Sequence, residues 1–135
     1  MMQLKRKGEY AILGILYLAT QPSQQVCMLS DIASAVDVPQ NFLAKIFQKF
    51  SKIGLVKSYR GNKGGFILGR APEDISLLEV VEAVEGSILP NRCVTGGSHC
   101  GRSATCKVHP VWNRVQQQVR EMLAGINLKE LSARP

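Results

Sequence analysis

The sequence is poor in aromatic residues and in acids, and it has no apolar run long enough to cross a bilayer. Aromatic residues make up 6% of the 135 residues, and ten acidic residues face 17 basic ones. The apolar stretch 11–19 is too short for a membrane span, and no small-residue cleavage signal follows it. We therefore expect a cytoplasmic protein that does not bind a membrane.

The motifs of a nucleotide-binding enzyme are also lacking. The glycine-rich stretch 61–65 reads GNKGG. It departs from the G-x4-G-K-[ST] order of a phosphate-binding loop, and it links two short strands where such a loop would lead into a helix. The glutamates of residues 76–86 indicate a solvated helix face, since no nucleophile or base lies nearby. We expect no enzyme activity and no small-molecule substrate.

Basic charge is concentrated in the N-terminal half of the chain. Residues 1–70 hold ten Lys or Arg against three acids, residues 71–92 hold one against five, and residues 93–135 hold six against two. Hydrophobic residues make up 45% of the sequence, which is enough for one compact domain with an attached arm. A polyanion is expected to dock on the N-terminal half.

Three helices are predicted in this basic half. Residues 8–20 are apolar almost all round, as in a core helix, and Ser30 can cap a short helix over 30–35. Pro39 precedes a third helix over 40–53. One of its faces is apolar, with Phe42, Leu43, Ile46, Phe47, Phe50 and Ile53. The other bears amides and lysines that suit a major groove, namely Gln40, Asn41, Lys45, Gln48, Lys49 and Lys52.

A glycine-rich hairpin follows the third helix. Residues 55–59 and 66–68 read as two strands around a turn. A helix-turn-helix followed by a basic hairpin predicts a winged helix, a mostly α fold with a small β-hairpin wing. The wing can place Arg60, Asn62 and Lys63 along the backbone or in the minor groove of double-stranded DNA.

Two more helices are predicted in the C-terminal half. Ser76 and Glu79 form a capping box, and Gly86 ends that helix. Pro110 starts a long helix with an apolar seam of Val108, Trp112, Val115, Val119, Met122 and Ile126. Such a seam pairs helices side by side, although it could instead pack on its own domain. Because helix-turn-helix proteins usually bind palindromic sites as two-fold dimers, we expect a homodimer.

Three cysteines and a histidine lie within seventeen residues. Cys93, Cys100, Cys106 and His109 are separated by six, five and two residues. Thiolates at such short spacing can converge on one metal centre. The spacing fits neither a paired C-x-x-C zinc ribbon nor the ferredoxin run, so it indicates a metal or iron–sulfur site without identifying the metal. Disulfides are the alternative and would need an oxidising compartment, while Cys27 is expected to be a buried apolar residue.

These features divide the chain into three parts. Residues 1–90 are predicted to form the winged-helix DNA-binding domain, and residues 91–109 the cysteine-rich cluster-binding loop. Residues 110–135 are predicted to form the dimerisation helix and a C-terminal tail.

Four stretches together resemble a known family. They are KRKGEYAILGILYLA at 5–19, the segment LSDIASAVDVPQNFLAKIFQKFSKIGLVKSYRGNKGGFIL at 29–68, ISLLEVVEAVEG at 75–86, and the three-cysteine loop. They are similar to the bacterial winged-helix iron–sulfur transcription regulators that include IscR, NsrR, RirA and CymR. The resemblance implies a DNA-binding transcriptional regulator, expected to be a repressor, whose homodimer responds to an iron–sulfur cluster.

The resemblance also implies cluster ligands. Cys93, Cys100 and Cys106 correspond to the three cysteine ligands of a [2Fe-2S] or [4Fe-4S] cluster. His109 is similar to the histidine that completes the [2Fe-2S] site of the IscR type, whereas Glu9 lies where the NsrR type places an aspartate that reaches the partner's cluster. We favour His109 and [2Fe-2S], because His109 is close in sequence to Cys106. One residue more separates Cys93 and Cys100 than in the IscR pattern.

The DNA contacts implied by the family fall on Gln40, Asn41 and Lys45 and on the wing. Ala44 stands where IscR has a glutamate, so the operator of that relative does not transfer to this chain. The signal could be nitric oxide, iron, oxygen, redox state or cluster supply. Two other hypotheses stay open, a DNA-binding dimer with a structural zinc site and a redox or electron-transfer protein.

Overall fold

The fold is a winged helix followed by a long helix and a short last helix, which packs back on the domain. A computed structural model describes residues 4–62, 64–86 and 107–134. Its elements are α1 (Arg6–Thr20), α2 (Leu29–Val36), α3 (Gln40–Lys52), β1 (Val56–Tyr59), β2 (Gly65–Leu68), a 3-10 turn (Pro72–Asp74), α4 (Leu77–Glu85), α5 (His109–Ala124) and α6 (Leu128–Ser132). The predicted fold class, mostly helical with a two-stranded wing, is confirmed.

Helix α1 forms the centre of the core and packs against α2, α3, α4 and α6. Ala11 and Ile15 are fully buried on it. Gly14 permits the close approach of α3, because a Cβ at that position would lie 2.9 Å from both Leu43 Cδ1 and Phe47 Cε1. The prediction of a core helix is therefore confirmed, with a start two residues earlier than expected.

The helix-turn-helix consists of α2 and α3. Asp37 adopts a left-handed conformation (φ 56°) that ends α2, and Pro39 leads directly into α3. The expectation that Ser30 caps α2 is wrong, since the helix starts at Leu29 and its N-cap is Met28, two residues before Ser30. Gly54 (φ 81°) follows α3 in a left-handed turn and directs the chain into the wing.

The wing is an antiparallel hairpin docked on the α1–α2 loop. Its register pairs Val56 with Leu68 and Tyr59 with Gly65. Cys27 adds a bridge at the edge of β2, where its N–H donates to the Phe66 carbonyl (2.9 Å) and its carbonyl accepts from the Phe66 N–H (2.8 Å). A Cβ at Gly65 would overlap the Cys27 carbonyl oxygen, so this docking depends on glycine.

Helix α6 brings the end of the chain back to the core. The Leu128 N–H donates to the Ile75 carbonyl (3.0 Å), and the Leu77 N–H donates to the Ile126 carbonyl (2.8 Å). The Leu128 side chain is fully buried within the same core as α1. The segment after α5 thus packs against the winged helix, a contact that the sequence did not predict. Within the described ranges, no helix is long and apolar enough to cross a membrane.

Replacing Leu128 with Ala tests this contact. We expect the free energy of unfolding to fall by about 2 to 5 kcal/mol, because the substitution leaves a cavity in a fully buried site. Leu13→Ala on the exposed side of α1 is the control, and we expect it to change stability by about 0.5 kcal/mol or less. Chemical denaturation measures both. Equal, small effects would show that α6 contributes nothing to the core.

Candidate functional site

The outer face of α3 carries only amide and basic side chains among its long polar residues. Its inner face is formed by Leu43, Ile46, Phe47 and Phe50, which are all buried. Gln40, Asn41, Lys45, Gln48, Lys49 and Lys52 are all exposed. No acid occurs anywhere in α3. The helix therefore presents hydrogen-bonding and positively charged groups to solvent and has no acid of its own to neutralise them.

Two apolar residues that were expected to face the core lie outside it. Phe42 is 52% exposed and Ile53 is 54% exposed. Ile53 is the C-cap residue, where the backbone has left the helical path. Phe42 lies in the first turn, and its ring makes an edge contact with Tyr10 at a centroid distance of 6.2 Å.

Phe42 is a candidate site residue that we did not predict, because the spacing of apolar residues places it on the apolar face of α3. It lies next to Asn41 at the exposed start of α3. An apolar side chain there can contact a thymine methyl group in a major groove, while the amide reads an adjacent base edge. The signal that could have found it is its position at the edge of the apolar face, in the first turn of α3.

The wing adds a second basic element. Lys57, Arg60 and Asn62 are exposed along β1 and the turn that follows it, and Tyr59 is exposed beside them. Gly61 has a φ of 109°, which favours glycine and shapes the turn. Lys63, the third predicted wing residue, lies outside the described residues.

Arg70 connects the segment that follows the wing to the 3-10 turn and α4. The Gly69 N–H donates to the Leu55 carbonyl (2.8 Å), which fixes the position of the following residue. Arg70 then donates to the Asp74 carbonyl (3.3 Å) and forms an ion pair with Glu79. Burial raises the pKa of the Glu79 carboxyl, but hydrogen bonds from Arg70 and Ser76 and the charge of Arg70 outweigh it, so its pKa lies below the ordinary value.

Of the predicted cluster ligands, only His109 and Glu9 lie within the described residues. The position of His109 is the more informative. His109 is the first residue of α5, and its Nδ1 atom is buried with no hydrogen-bond partner among the residues described. Its Nε2 atom lies 3.1 Å from the Asn113 side-chain amide, one turn further along α5. A histidine that binds a metal through one nitrogen usually donates a hydrogen bond from the other, and Asn113 accepts such a bond when its amide oxygen, rather than the Nδ2 atom shown, faces Nε2.

The remaining predicted ligands are not brought together in the described part of the chain. Cys93, Cys100 and Cys106 lie outside the described residues. Glu9 is exposed in the first turn of α1, on a different element from His109. Within residues 4–62, 64–86 and 107–134, no group of three potential metal ligands occurs.

Helix α5 carries an apolar stripe that its own domain covers only in part. None of its described side chains is fully buried. Trp112, Val115 and Val119 are half-buried, whereas Val111 (51%) and Met122 (70%) are exposed along one edge. The helix packs on α4, and Arg120 forms an ion pair with Glu82 there. The predicted seam is shorter than expected, because α5 ends at Ala124 and Ile126 pairs with Leu77.

Comparison with known proteins identifies relatives over almost the whole chain. Residues 4–134 match the family model described as Rrf2, iron-dependent transcriptional regulator. The HTH-type transcriptional regulator IscR of Xenorhabdus nematophila is 33% identical over 130 residues, which cover 96% of this chain and 79% of that protein.

Solved structures agree with this match. CymR, the global cysteine regulator of B. subtilis, superposes with a TM-score of 0.78 at 26% identity, covering 98% of each chain. IscR of T. potens superposes with a TM-score of 0.76 at 27% identity, covering 96% of this chain and 85% of that one. Both are similar to this chain over almost its whole length.

Proposed function

The chain belongs to the Rrf2 family of iron-dependent transcriptional regulators, and on that premise we propose that it is a homodimeric repressor whose operator binding is controlled by an iron–sulfur cluster. Membership makes it a DNA-binding transcriptional regulator. It confirms the family resemblance and the prediction that the chain is not an enzyme. The dimer, the cluster and a cytoplasmic location are the parts we propose.

The proposal about DNA rests on one observation above all. The acid-free outer face of α3 and the basic wing belong to the same small domain, and both are exposed. Asn41 and Gln40 can read base edges in the major groove, while Lys45 and Lys49 neutralise phosphates. Arg60, Asn62 and Lys63 would then contact the backbone or the adjacent minor groove.

The proposal about the cluster is supported by the chemistry of its donors. Cys93, Cys100 and Cys106 supply soft thiolates. His109 supplies a buried nitrogen that has no other partner among the described residues, which fits a fourth ligand. When bound, a [2Fe-2S] cluster supplies an iron centre that responds to redox state, nitric oxide or iron supply. Glu9 of the partner subunit remains the alternative fourth ligand.

His109 would connect that site to the dimer helix. It is the first residue of α5 and precedes Pro110, so a ligand bond to its ring would fix the start of this helix. Asn113 holds the far side of the same ring. The position of α5 relative to the winged helix would then depend on whether the site is filled, and the spacing of the two recognition helices with it.

Structural zinc is the second candidate for the cysteine site. Thiolate and imidazole donors suit zinc as well as iron–sulfur clusters. The solved relative CymR is named as a cysteine regulator. We therefore also consider a mode of sensing that does not use an iron–sulfur cluster.

The cluster is tested by the visible spectrum of anaerobically purified protein and by titration of one operator, selected from random duplexes, with holo and apo protein. We expect iron–sulfur charge-transfer bands that Cys93→Ala, Cys100→Ala and Cys106→Ala abolish. Operator affinity should change by about 5- to 150-fold between the two forms. His109→Ala should alter the spectrum or lability of the cluster, and Glu9→Gln should do so only if Glu9 is the ligand. Colourless protein with stoichiometric zinc would contradict the proposal.

The DNA interface is tested by replacing Lys45 or Asn41 with Ala. Lys45→Ala should weaken binding to all duplexes and reduce the slope of log K against log salt by about 0.9, the contribution of one phosphate contact. Asn41→Ala should mainly relax sequence choice. Lys129→Ala on α6 is the matched control for loss of one basic charge, and its salt slope should equal that of the wild type. Fluorescence anisotropy at several salt concentrations measures all three.

The dimer is tested by the double substitution Val111→Glu with Met122→Glu. Both side chains are exposed in the single chain, so the fold does not depend on them, whereas a partner helix would bury their charges. Sedimentation should show a monomer. Ala124→Glu, on the opposite side of α5, should stay dimeric. A double variant that remains dimeric would place the subunit contact elsewhere.

A further inference from the structure

The exit of the wing is tied to the start of α4 by one arginine. Arg70 lies two residues after β2, and its guanidinium reaches both the Asp74 carbonyl and the Glu79 carboxylate. Residue 74 belongs to the 3-10 turn and residue 79 to the first turn of α4. Arg70 therefore bridges the wing, the turn and the helix in a single set of contacts.

Glu79 uses its two carboxylate oxygens for different tasks. Oε1 accepts from the Ser76 N–H (3.2 Å) and from the Ser76 hydroxyl (3.3 Å), while the Glu79 N–H donates to the Ser76 Oγ (3.1 Å). These contacts form the capping box of α4. Oε2 is left for Arg70. The same side chain thus orders the helix start and holds the wing exit.

The segment that follows α5 is hydrogen-bonded to the residues around this capping box. Asn127 pairs with Ser76 as an antiparallel bridge, and the backbone groups of Ile75 and Leu77 on either side are bonded to Leu128 and Ile126. The capping box therefore lies between the base of the wing and the end of the helix that we propose as the dimer contact.

This ion pair is poorly placed to stabilise the fold. Its side chains are 39% and 40% exposed, and ion pairs between exposed groups contribute little to stability. Its geometry is more informative than its energy, because three elements meet at one guanidinium. A positioning role would explain the presence of an acid, Glu79, beside the basic wing that we propose approaches DNA.

We propose that Arg70 and Glu79 are positioning residues for DNA binding, which hold the wing against the cap of α4 at the angle that lets Arg60 and its neighbours reach the duplex. The inference rests on the proposed function. It names residues that act through the wing and do not touch DNA themselves.

The direction in which one substitution changes the affinity for DNA distinguishes this role from simple electrostatics. Glu79→Gln keeps an oxygen for the capping box, since glutamine also serves at that position, but it removes the carboxylate that pairs with Arg70. Removing a negative charge should by itself strengthen binding to DNA. If Glu79 positions the wing, we expect the opposite, a weakening of operator binding by about two- to fivefold, the scale of one exposed ion pair.

The experiment titrates one operator, selected by the wild-type protein from random duplexes, with seven proteins at fixed salt. Glu73→Gln is the matched control, because Glu73 is an exposed acid three residues from Arg70 that forms no ion pair within the described residues. It should bind as well as the wild type or slightly better. Arg70→Gln should lose as much affinity as Glu79→Gln, and the double variant no more than either. In an Arg60→Ala background, Glu79→Gln should cause no further loss.

Three results would overturn the inference. They are tighter or unchanged binding by Glu79→Gln, an undiminished loss when Arg60 is already absent, and a fall in melting temperature of Glu79→Gln that accounts for its weaker binding. Failure of the wild-type protein to select any duplex would overturn the proposed function, and this inference with it. Those outcomes are distinguishable, because the first three require a wild-type protein that binds.

Discussion

The contact between α1 and α3 is the constraint on which the other elements depend. Gly14 lets the two helices approach until Leu43 and Phe47 meet the backbone of α1, and this contact decides which face of α3 is hidden. Once that face is buried, the amides and lysines of α3 can only point outward. The surface that we propose for DNA recognition is therefore a consequence of packing, because the same helical period that fills the core spaces the polar groups on the opposite side.

Charge is separated along the chain in the same way that polarity is separated around α3. The acids that follow the wing are used inside the protein, where Glu79 holds Arg70 and Glu82 holds Arg120. The basic residues of α3 carry no such partners within the described part of the chain. Acids thus join elements to one another, whereas the basic groups of α3 remain free for an anionic partner.

Local patterns predicted much of the fold because their causes are local. The capping box of Ser76 and Glu79, the left-handed Gly54 and the bounds of α3 all follow from neighbouring residues. The return of Leu128 to the core and the bridge between Cys27 and Phe66 did not follow, because they join residues that are distant in sequence. Within the candidate site, the outer face of α3 could be predicted from its period, while the exposure of Phe42 depends on how α1 meets the first turn of α3.

The burial of Cys27 has a consequence for the cluster site that we propose. Burial, and then the nearby charge of Asp31, raise the pKa of this thiol, so it stays protonated at neutral pH. Its sulfur lies in the core with the backbone hydrogen-bonded on both sides to Phe66. A protonated, enclosed thiol is a poor competitor for incoming metal. For the cluster site that we propose, the fold itself therefore disfavours a wrongly loaded site that recruits Cys27.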